Sequence, residues 1–569
     1  MFKLRRFLKH YKKELVLGPF FKLLEAIFEL IVPVVMAKII DNGIGNNDSA
    51  YVWKMSGLIV VLGICGLGFA LTCQFFAAKC AYGFGTELRN ELYKHINRLS
   101  HAEIDKFGTS SLITRVTNDT VLAQNGVNMF IRLAVRAPFL IIGAAVMAMM
   151  LDLKLSIVFL IAAPVITAII VWVMKKTVPM YKRIQKGLDK ISLLTRENLE
   201  GVRVIRAFSK QDEEKKKFNE ESQALAESSI IAGKISAILN PVTFMIMNLG
   251  IVAILWFGGI RVDTGHLTQG EITAFVNYMT QILLAMIVLA NLVVVFTKAA
   301  SSASRINEVF ETQPSIITGK DKAFDLNKPA IEFDNVSFEY PEAGDLSLEN
   351  ITFTLNRGEV LGVIGGTGSG KSTLANLVPR FYDISFGNIR IFGKDIKSYS
   401  LESLRKLIGV VPQKAALFSG TVADNMRWAK PDASEDDIIK ALKIAQAWEF
   451  VSKLPDGIHT HIEQGGKNLS GGQRQRLTIA RALVGNPPVV ILDDSMSALD
   501  YATDLALRKA IESELSDTAV IMISQRATTL QNANEILVLD DGKTAGFGTH
   551  SELLENCQEY LEIYNSQMS

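Results

Sequence analysis

Four stretches of the chain, residues 55–78, 155–174, 235–260 and 272–297, contain no charged side chain at all. A helix needs about 20 apolar residues to cross a bilayer, so each of these reads as a membrane span. A fifth stretch, 137–151, reaches that length when extended back through 129–136. A sixth, 15–40, is interrupted by Lys22, Glu25, Glu29 and Lys38. The long uncharged runs lie before residue 300, and the rest reads as a soluble domain. At 569 residues the chain suits two or more domains.

Charge distribution decides whether the sixth stretch crosses. The N-terminus and the segments between spans two and three and between spans four and five are basic, with Arg89, Lys94, Arg98 and Arg115, then Lys175, Lys176, Lys182 and Arg183. The other loops are short and carry few Lys or Arg. Basic loops stay in the cytoplasm. Only an even number of spans puts these segments and the C-terminal domain on one side, so 15–40 is expected to cross. The expected spans are 15–40, 55–80, 129–151, 155–175, 235–260 and 271–297, with both termini cytoplasmic. The basic start followed by an apolar stretch is not a signal peptide, because charges interrupt it and no small-residue cleavage site follows promptly. The cytoplasmic segments read as continuous helix, with Leu193, Leu194, Asn198, Val202 and Ile205 at helical spacing.

Lys22, Glu25 and Glu29 share one helical face. They read either as a cation-attracting cavity wall, or as an internal ion pair or a position near the cytoplasmic interface. Asn277, Gln281 and Asn291 mark a polar face on the last span, lining a pathway or bonding a neighbouring helix. The four cysteines form no metal or disulfide spacing and read as small apolar residues. The net charge of +2 gives no nucleic-acid footprint.

After a polar linker, 312–329, a domain spans 330–569. Residues 360–364 form a short apolar strand pattern. They run into Gly365, Gly366, Thr367, Gly368, Ser369, Gly370, Lys371, Ser372 and Thr373, followed by a helical stretch. Strand, glycine-rich loop and helix together are the context a P-loop requires. The glycines let backbone N–H groups curl around phosphate oxygens, and the helix N-terminus adds positive potential. Lys371 is placed to reach the β- and γ-phosphates and Ser372 to ligate Mg²⁺. A second buried strand, 489–493, ends in Asp493, suited to hold Mg²⁺.

Between them stand Leu469, Ser470, Gly471, Gly472 and Gln473. This run resembles the signature of the ATP-binding cassette family, and the whole layout resembles an ABC exporter half-transporter. The resemblance implies an α-helical six-span transmembrane domain with long cytoplasmic extensions. It is fused to an α/β P-loop cassette with a RecA-like core, an antiparallel β-subdomain and a helical subdomain. It implies that Tyr340 stacks on adenine and that Gln413 senses Mg²⁺ and the γ-phosphate. The stretch 497–500, ending in Asp500, matches the D-loop. The segment 200–208 looks like the second cytoplasmic hairpin of exporters. Ser470, Gly471, Gly472, Gln473 and Asp500 are implied to close on ATP held by an opposite cassette, so that two cassettes sandwich two ATPs.

Two positions depart from the family. Its general-base glutamate is replaced by Asp494, one methylene shorter, and a misplacement of ~1 Å can cost on the order of 100-fold in rate. Its switch histidine is replaced by Gln525, which hydrogen-bonds phosphate but has no titratable nitrogen. The loop of Ile462, Glu463, Gln464 and Gly465 also differs from the family pattern. This implies a chain that binds ATP and Mg²⁺, hydrolyses poorly at its own site and completes a competent site on a partner. The expected partner is a homologous half-transporter with the intact glutamate and histidine. The expected setting is a cell membrane, the bacterial inner membrane, with a hydrophobic or amphipathic small molecule, lipid or peptide as substrate. No peptidase-like domain precedes the spans, which disfavours a processed-peptide exporter. The rival expectations are a slow homodimeric exporter and an ATP-gated regulatory or channel-like subunit.

Overall fold

The computed structural model describes residues 2–341 and 343–568. It divides into two compact units. One runs through Asn97 and includes Ser110–Thr312; the other joins Arg98–Thr109 to the chain from Gln313 onward.

The first unit is all helix. Among the described residues, five helices are long and apolar enough to cross a membrane: Ser49–Ile96, Thr109–Leu151, Ile157–Glu200, Gln211–Asp263 and Gln269–Glu311. In the most apolar stretch of Ser49–Ile96 only 6% of residues are buried within the chain. A surface so apolar needs lipid or another helix against it. The helix Lys12–Lys38 is not among the five, because Lys22, Glu25 and Glu29 break its apolar run. Those charges are paired instead. Lys22 Nζ lies 2.6 Å from Glu25, and Arg136 Nη2 lies 2.7 Å from Glu29. The internal ion pairing read from the sequence is present. The long helices extend beyond their apolar stretches as expected, except that Gly201 separates Ile157–Glu200 from the short helix Val202–Ala207.

The core of this unit forms around Gln269–Glu311, where Ala274, Phe275, Tyr278, Met279 and Ile282 are buried. Tyr278 donates its hydroxyl to the Leu30 carbonyl at 2.8 Å, and Gln281 donates to the Glu29 carbonyl at 3.3 Å. Of the polar residues read on this helix, Gln281 thus bonds a neighbouring helix, while Asn277 bonds back to Thr273. Asp41 accepts the Gly270 N–H at 2.8 Å and the Thr268 hydroxyl at 2.6 Å, tying the end of the first helix to the start of this one. Within Thr109–Leu151, two turns, Arg115–Asp119 and Phe130–Ala134, are π-helical. The buried Asp119 of the first accepts from Arg305 and, at 3.0 Å, from Ser302.

The second unit is α/β. Its six-stranded sheet runs in the order Lys543–Gly548, Glu535–Asp540, Val360–Gly365, Ala519–Ile523, Val489–Asp493, Ile408–Val411. All neighbours are parallel except the edge pair 535–540 and 543–548. Parallel strands buried on both faces read as continuous apolar runs, as 489–492 does. The edge hairpin turns on Asp541 and Gly542, both with positive φ (43° and 77°), the conformation a tight type I′ turn requires. A separate antiparallel sheet joins Leu346–Leu355, Ile331–Glu339, Phe386–Ile391 and Lys394–Asp395.

The segment read as a linker lies along this unit. Gly319 and Lys320 donate backbone N–H groups to Tyr399 and Ser398 at 2.9 and 3.0 Å. The unit also holds the short helix His101–Phe107. His101 stacks on Phe381 with centroids 4.3 Å apart, and the Tyr382 hydroxyl donates to Asp105 at 2.5 Å.

Candidate nucleotide site

The loops that follow strands 360–365, 408–411, 489–493 and 519–523 all leave the sheet at its carboxyl edge, where open α/β sheets bind ligands. The parallel register brings them level: Ile523 pairs with both Val363 and Asp493. Between them lies a cleft of 480 Å³. Its walls carry Tyr340, Thr367, Gly368, Ser369, Gly370, Lys371, Ser372, Thr373, Gln413, Asp493, Asp494 and Gln525, together with the turn Asp541–Gly542. Two of the predicted positions, Gly365 and Gly366, are not in that lining, and their carbonyls accept from Lys371.

Glycine is required at two points of the loop. A Cβ on Gly365 would stand 2.1 Å from the Leu539 carbonyl oxygen. Gly370 has φ of 95°, and its Cβ would meet the Ser347 carbonyl at 2.6 Å. Gly370 starts the helix Lys371–Leu377. Lys371 is 9% exposed, and its ammonium donates to the carbonyls of Gly365 and Gly366, at 2.9 and 2.5 Å, and to Ser369 Oγ at 3.2 Å. Burial pushes its pKa down, while Asp494 and Asp493 pull it the other way.

The Ser372 hydroxyl donates to Asp493 Oδ1 at 3.2 Å. A hydroxyl and a carboxylate that close are the oxygen pair a hard divalent cation takes. Gln413 Nε2 donates to Asp494 Oδ2 at 3.3 Å, and Tyr340 donates its hydroxyl to Thr373 at 3.2 Å. Burial raises the pKa of both Asp493 and Asp494. This donor set fits a nucleotide triphosphate with a divalent ion: a buried cation, glycine N–H groups, and oxygen ligands beside them. Asp494 has φ of 44°, a left-handed conformation that Asp and Asn tolerate better than most residues.

Ser470, Gly471, Gly472, Gln473 and Asp500 are absent from the cleft's lining. Ser470 caps the helix Gly471–Leu483: its Oγ accepts from Gln473 N at 3.3 Å, and its own N–H donates to Gln473 Oε1 at 2.8 Å. Asp500 caps Tyr501–Glu514 by accepting from Thr503. The sequence motifs therefore separate into one group around the cleft and one away from it.

Two contacts to the switch loop had no sequence signal. Gln567 donates to the Gln525 carbonyl at 2.7 Å and accepts from the Ala527 N–H at 2.9 Å. Arg508 donates to the Thr528 carbonyl at 3.3 Å and pairs with Asp504. An amide 42 residues downstream has no local spacing to betray it.

A helical membrane unit and a P-loop cassette in one chain define a nucleotide-driven membrane transporter. The comparisons with known proteins give the family. Residues 15–286 match the ABC transporter transmembrane region and 348–497 match the ABC transporter cassette. An uncharacterised ABC transporter ATP-binding protein of Bacillus subtilis is 38% identical, covering 99% of this chain and 97% of its own. An ATP-dependent lipid A-core flippase of Haemophilus influenzae is 31% identical, covering 99% and 96%. A solved bacterial Atm1-family ABC exporter with ATP bound shares the fold at a TM-score of 0.80 and 23% identity, over 98% of both chains. The chain belongs to the ABC transporter family, as a multi-pass membrane protein with its cassette on the same chain.

Proposed function

We propose that this chain is one half of a heterodimeric ABC exporter. Its own P-loop holds MgATP and turns it over slowly, while its signature completes a faster site on the partner. The observation that carries this reading is the company Asp494 and Gln525 keep: both line the cleft that contains Lys371, Ser372 and Asp493. The base position and the switch position of one nucleotide are therefore both altered. Phosphate and cation ligands remain, with Gln413 and Asp493 beside them. Ser470 and the N–H groups of Gly471 and Gly472, at a helix start away from that cleft, suit a γ-phosphate presented by a second cassette.

In this scheme ATP closes the two cassettes and turns the cavity outward. Hydrolysis on the partner resets it. Six spans, with Lys12–Lys38 the first, keep both termini in the cytoplasm of a bacterial inner membrane. The substrate is hydrophobic or amphipathic, a class that includes the lipid named for the Haemophilus relative.

The test is ATPase and transport by the purified pair carrying Ser470→Arg or Asp494→Asn. Ser470→Arg should stop turnover by blocking closure, and Asp494→Asn should be mild. The reverse pattern would assign the slow site to the partner. Brisk hydrolysis by this chain alone would instead favour a homodimer.

A further inference from the structure

The membrane unit gathers charges that take no part in nucleotide binding. Lys22, Glu25 and Glu29 stand on Lys12–Lys38, and Arg132 and Arg136 on Thr109–Leu151. Both carboxylates are engaged, Glu25 by Lys22 and Glu29 by Arg136. The Lys22–Glu25 pair is well buried, with side chains 13% and 16% exposed. Arg132 is half-buried and has, among the described residues, no carboxylate or hydrogen-bond partner. It belongs to the same neighbourhood: its turn, Phe130–Ala134, packs against Lys12–Lys38, with Ile131 against Gly18, and Arg136 stands four residues further along the same helix. Three cations thus face two carboxylates, and the surplus cation is the unpaired one.

Other atoms there also lack partners. Arg136 Nε, Gln281 Oε1 and Asn128 Oδ1 are buried with no hydrogen bond. Asn128 is four residues before Arg132, and Gln281 is bonded to the Glu29 carbonyl. Buried polar atoms left unpaired cost ~1–3 kcal/mol each, which a bound polar group recovers. Arg132 sits in the π-helical turn Phe130–Ala134, a distortion found frequently at functional sites. Charges kept at membrane depth are costly and mark substrate pathways. A guanidinium's planar fork matches the oxygens of a phosphate or carboxylate.

We infer that Arg132, with Arg136 and Lys22 beside it, binds the anionic headgroup of an amphipathic substrate. The inference rests on the exporter reading and gives its substrate a sign. It reverses what Lys22, Glu25 and Glu29 suggest in isolation, since their two carboxylates are already neutralised. The anionic group comes either from a bilayer lipid or from a single-chain amphipath.

The probe is radiolabelled dodecyl phosphate. Its binding to the full chain in phosphatidylcholine nanodiscs is measured without nucleotide, with empty nanodiscs subtracted. Binding should be saturable and insensitive to dodecyltrimethylammonium. Arg132→Gln should weaken it about tenfold or more, the effect of one charge-assisted contact, and Arg132→Lys should restore most of the loss. Glu25→Gln frees Lys22 and should tighten binding, whereas a variant damaged in folding would only weaken it. Competition by phosphatidylglycerol added to the nanodisc identifies a lipid as the source; its absence identifies the single-chain amphipath. Equal binding by Arg132→Gln, or equal competition by the cation, overturns the inference. No nucleotide enters this assay, so such a failure leaves the exporter reading standing. A failed ATPase asymmetry likewise leaves the anion site standing.

Discussion

The two units of the chain hold their buried charges by opposite means. In the cassette, Lys371 is held by Gly365, Gly366 and Ser369, all within six residues of it. In the membrane unit, the Lys22–Glu25 pair three residues apart excepted, charges are held from far away. Glu29 meets Arg136, Asp119 meets Arg305, and Asp152 meets Arg261. Backbone carbonyls and glycines can cradle a cation in a soluble fold because the loop is free to curl. Along a long helix the backbone groups are already committed to one another, so another side chain neutralises the charge. The first arrangement leaves a motif in the sequence; the second leaves two isolated residues.

This contrast can be broken in four places. The largest effect is expected at the local cradle. Lys371→Ala should weaken ATP binding to the isolated chain about 10- to 100-fold, read by fluorescent-nucleotide titration, while leaving the melting temperature nearly unchanged. Next comes the distant pairing. Asp119 is fully buried, and Asp119→Ala removes the partner of Arg305 and Ser302. Arg305 is 45% exposed and can still reach water, so the expected loss is about 2 kcal/mol rather than the full value for a buried pair. Thermal unfolding in detergent should show it, with ATP affinity unaffected. If Asp119→Ala changes ATP affinity and Lys371→Ala changes melting, the division between the units fails.

A smaller effect concerns acidity. Burial holds Asp493 above the usual carboxylate pKa range, so protons compete with Mg²⁺ sooner than at an exposed Asp. The Mg²⁺-dependent part of ATP binding should decline on acidification, and do so at a higher pH than an exposed aspartate would set. In Asp493→Asn that slope should vanish. The smallest is the clip on the switch loop. Gln567 is exposed, and Gln567→Met keeps its length while losing both hydrogen bonds. The cost should be about 1 kcal/mol, seen as faster hydrogen exchange at the Ala527 amide. Gln567→Glu keeps the acceptor but sets a carboxylate against the Gln525 carbonyl, and it should not rescue.

What the sequence disclosed follows the same division. The cleft was legible almost residue by residue, because Gly365 to Thr373 form one continuous run and Asp493 ends an apolar strand. Ser470 and Asp500 fall outside the cleft, and only the family resemblance, not their spacing, set them apart from it. The first helix was legible only in part: its charges were visible, but the neutralisation of Glu29 by Arg136 depends on a helix that begins 71 residues after the first one ends. Arg132 and Arg136 passed as a mere extension of the third span. The hold of Tyr382 on Asp105 joins residues 277 apart, and no periodicity announces it.

The two π-helical turns of Thr109–Leu151 carry a further consequence. Each i→i+5 turn accommodates one residue more than an α-helix of the same rise. The helix therefore stores two surplus residues, at Arg115–Asp119 and at Phe130–Ala134. Removing one residue from such a turn lets it relax to α while the rows above and below keep their faces. Elsewhere a deletion rotates everything beyond it by about 100°. In a deletion scan the exposed pair Thr117 and Asn118, in the first of these turns, should stand out as silent, against a background in which losses outside the two turns scramble the packing. Such slack lets a lineage shorten this span without redesigning its neighbours.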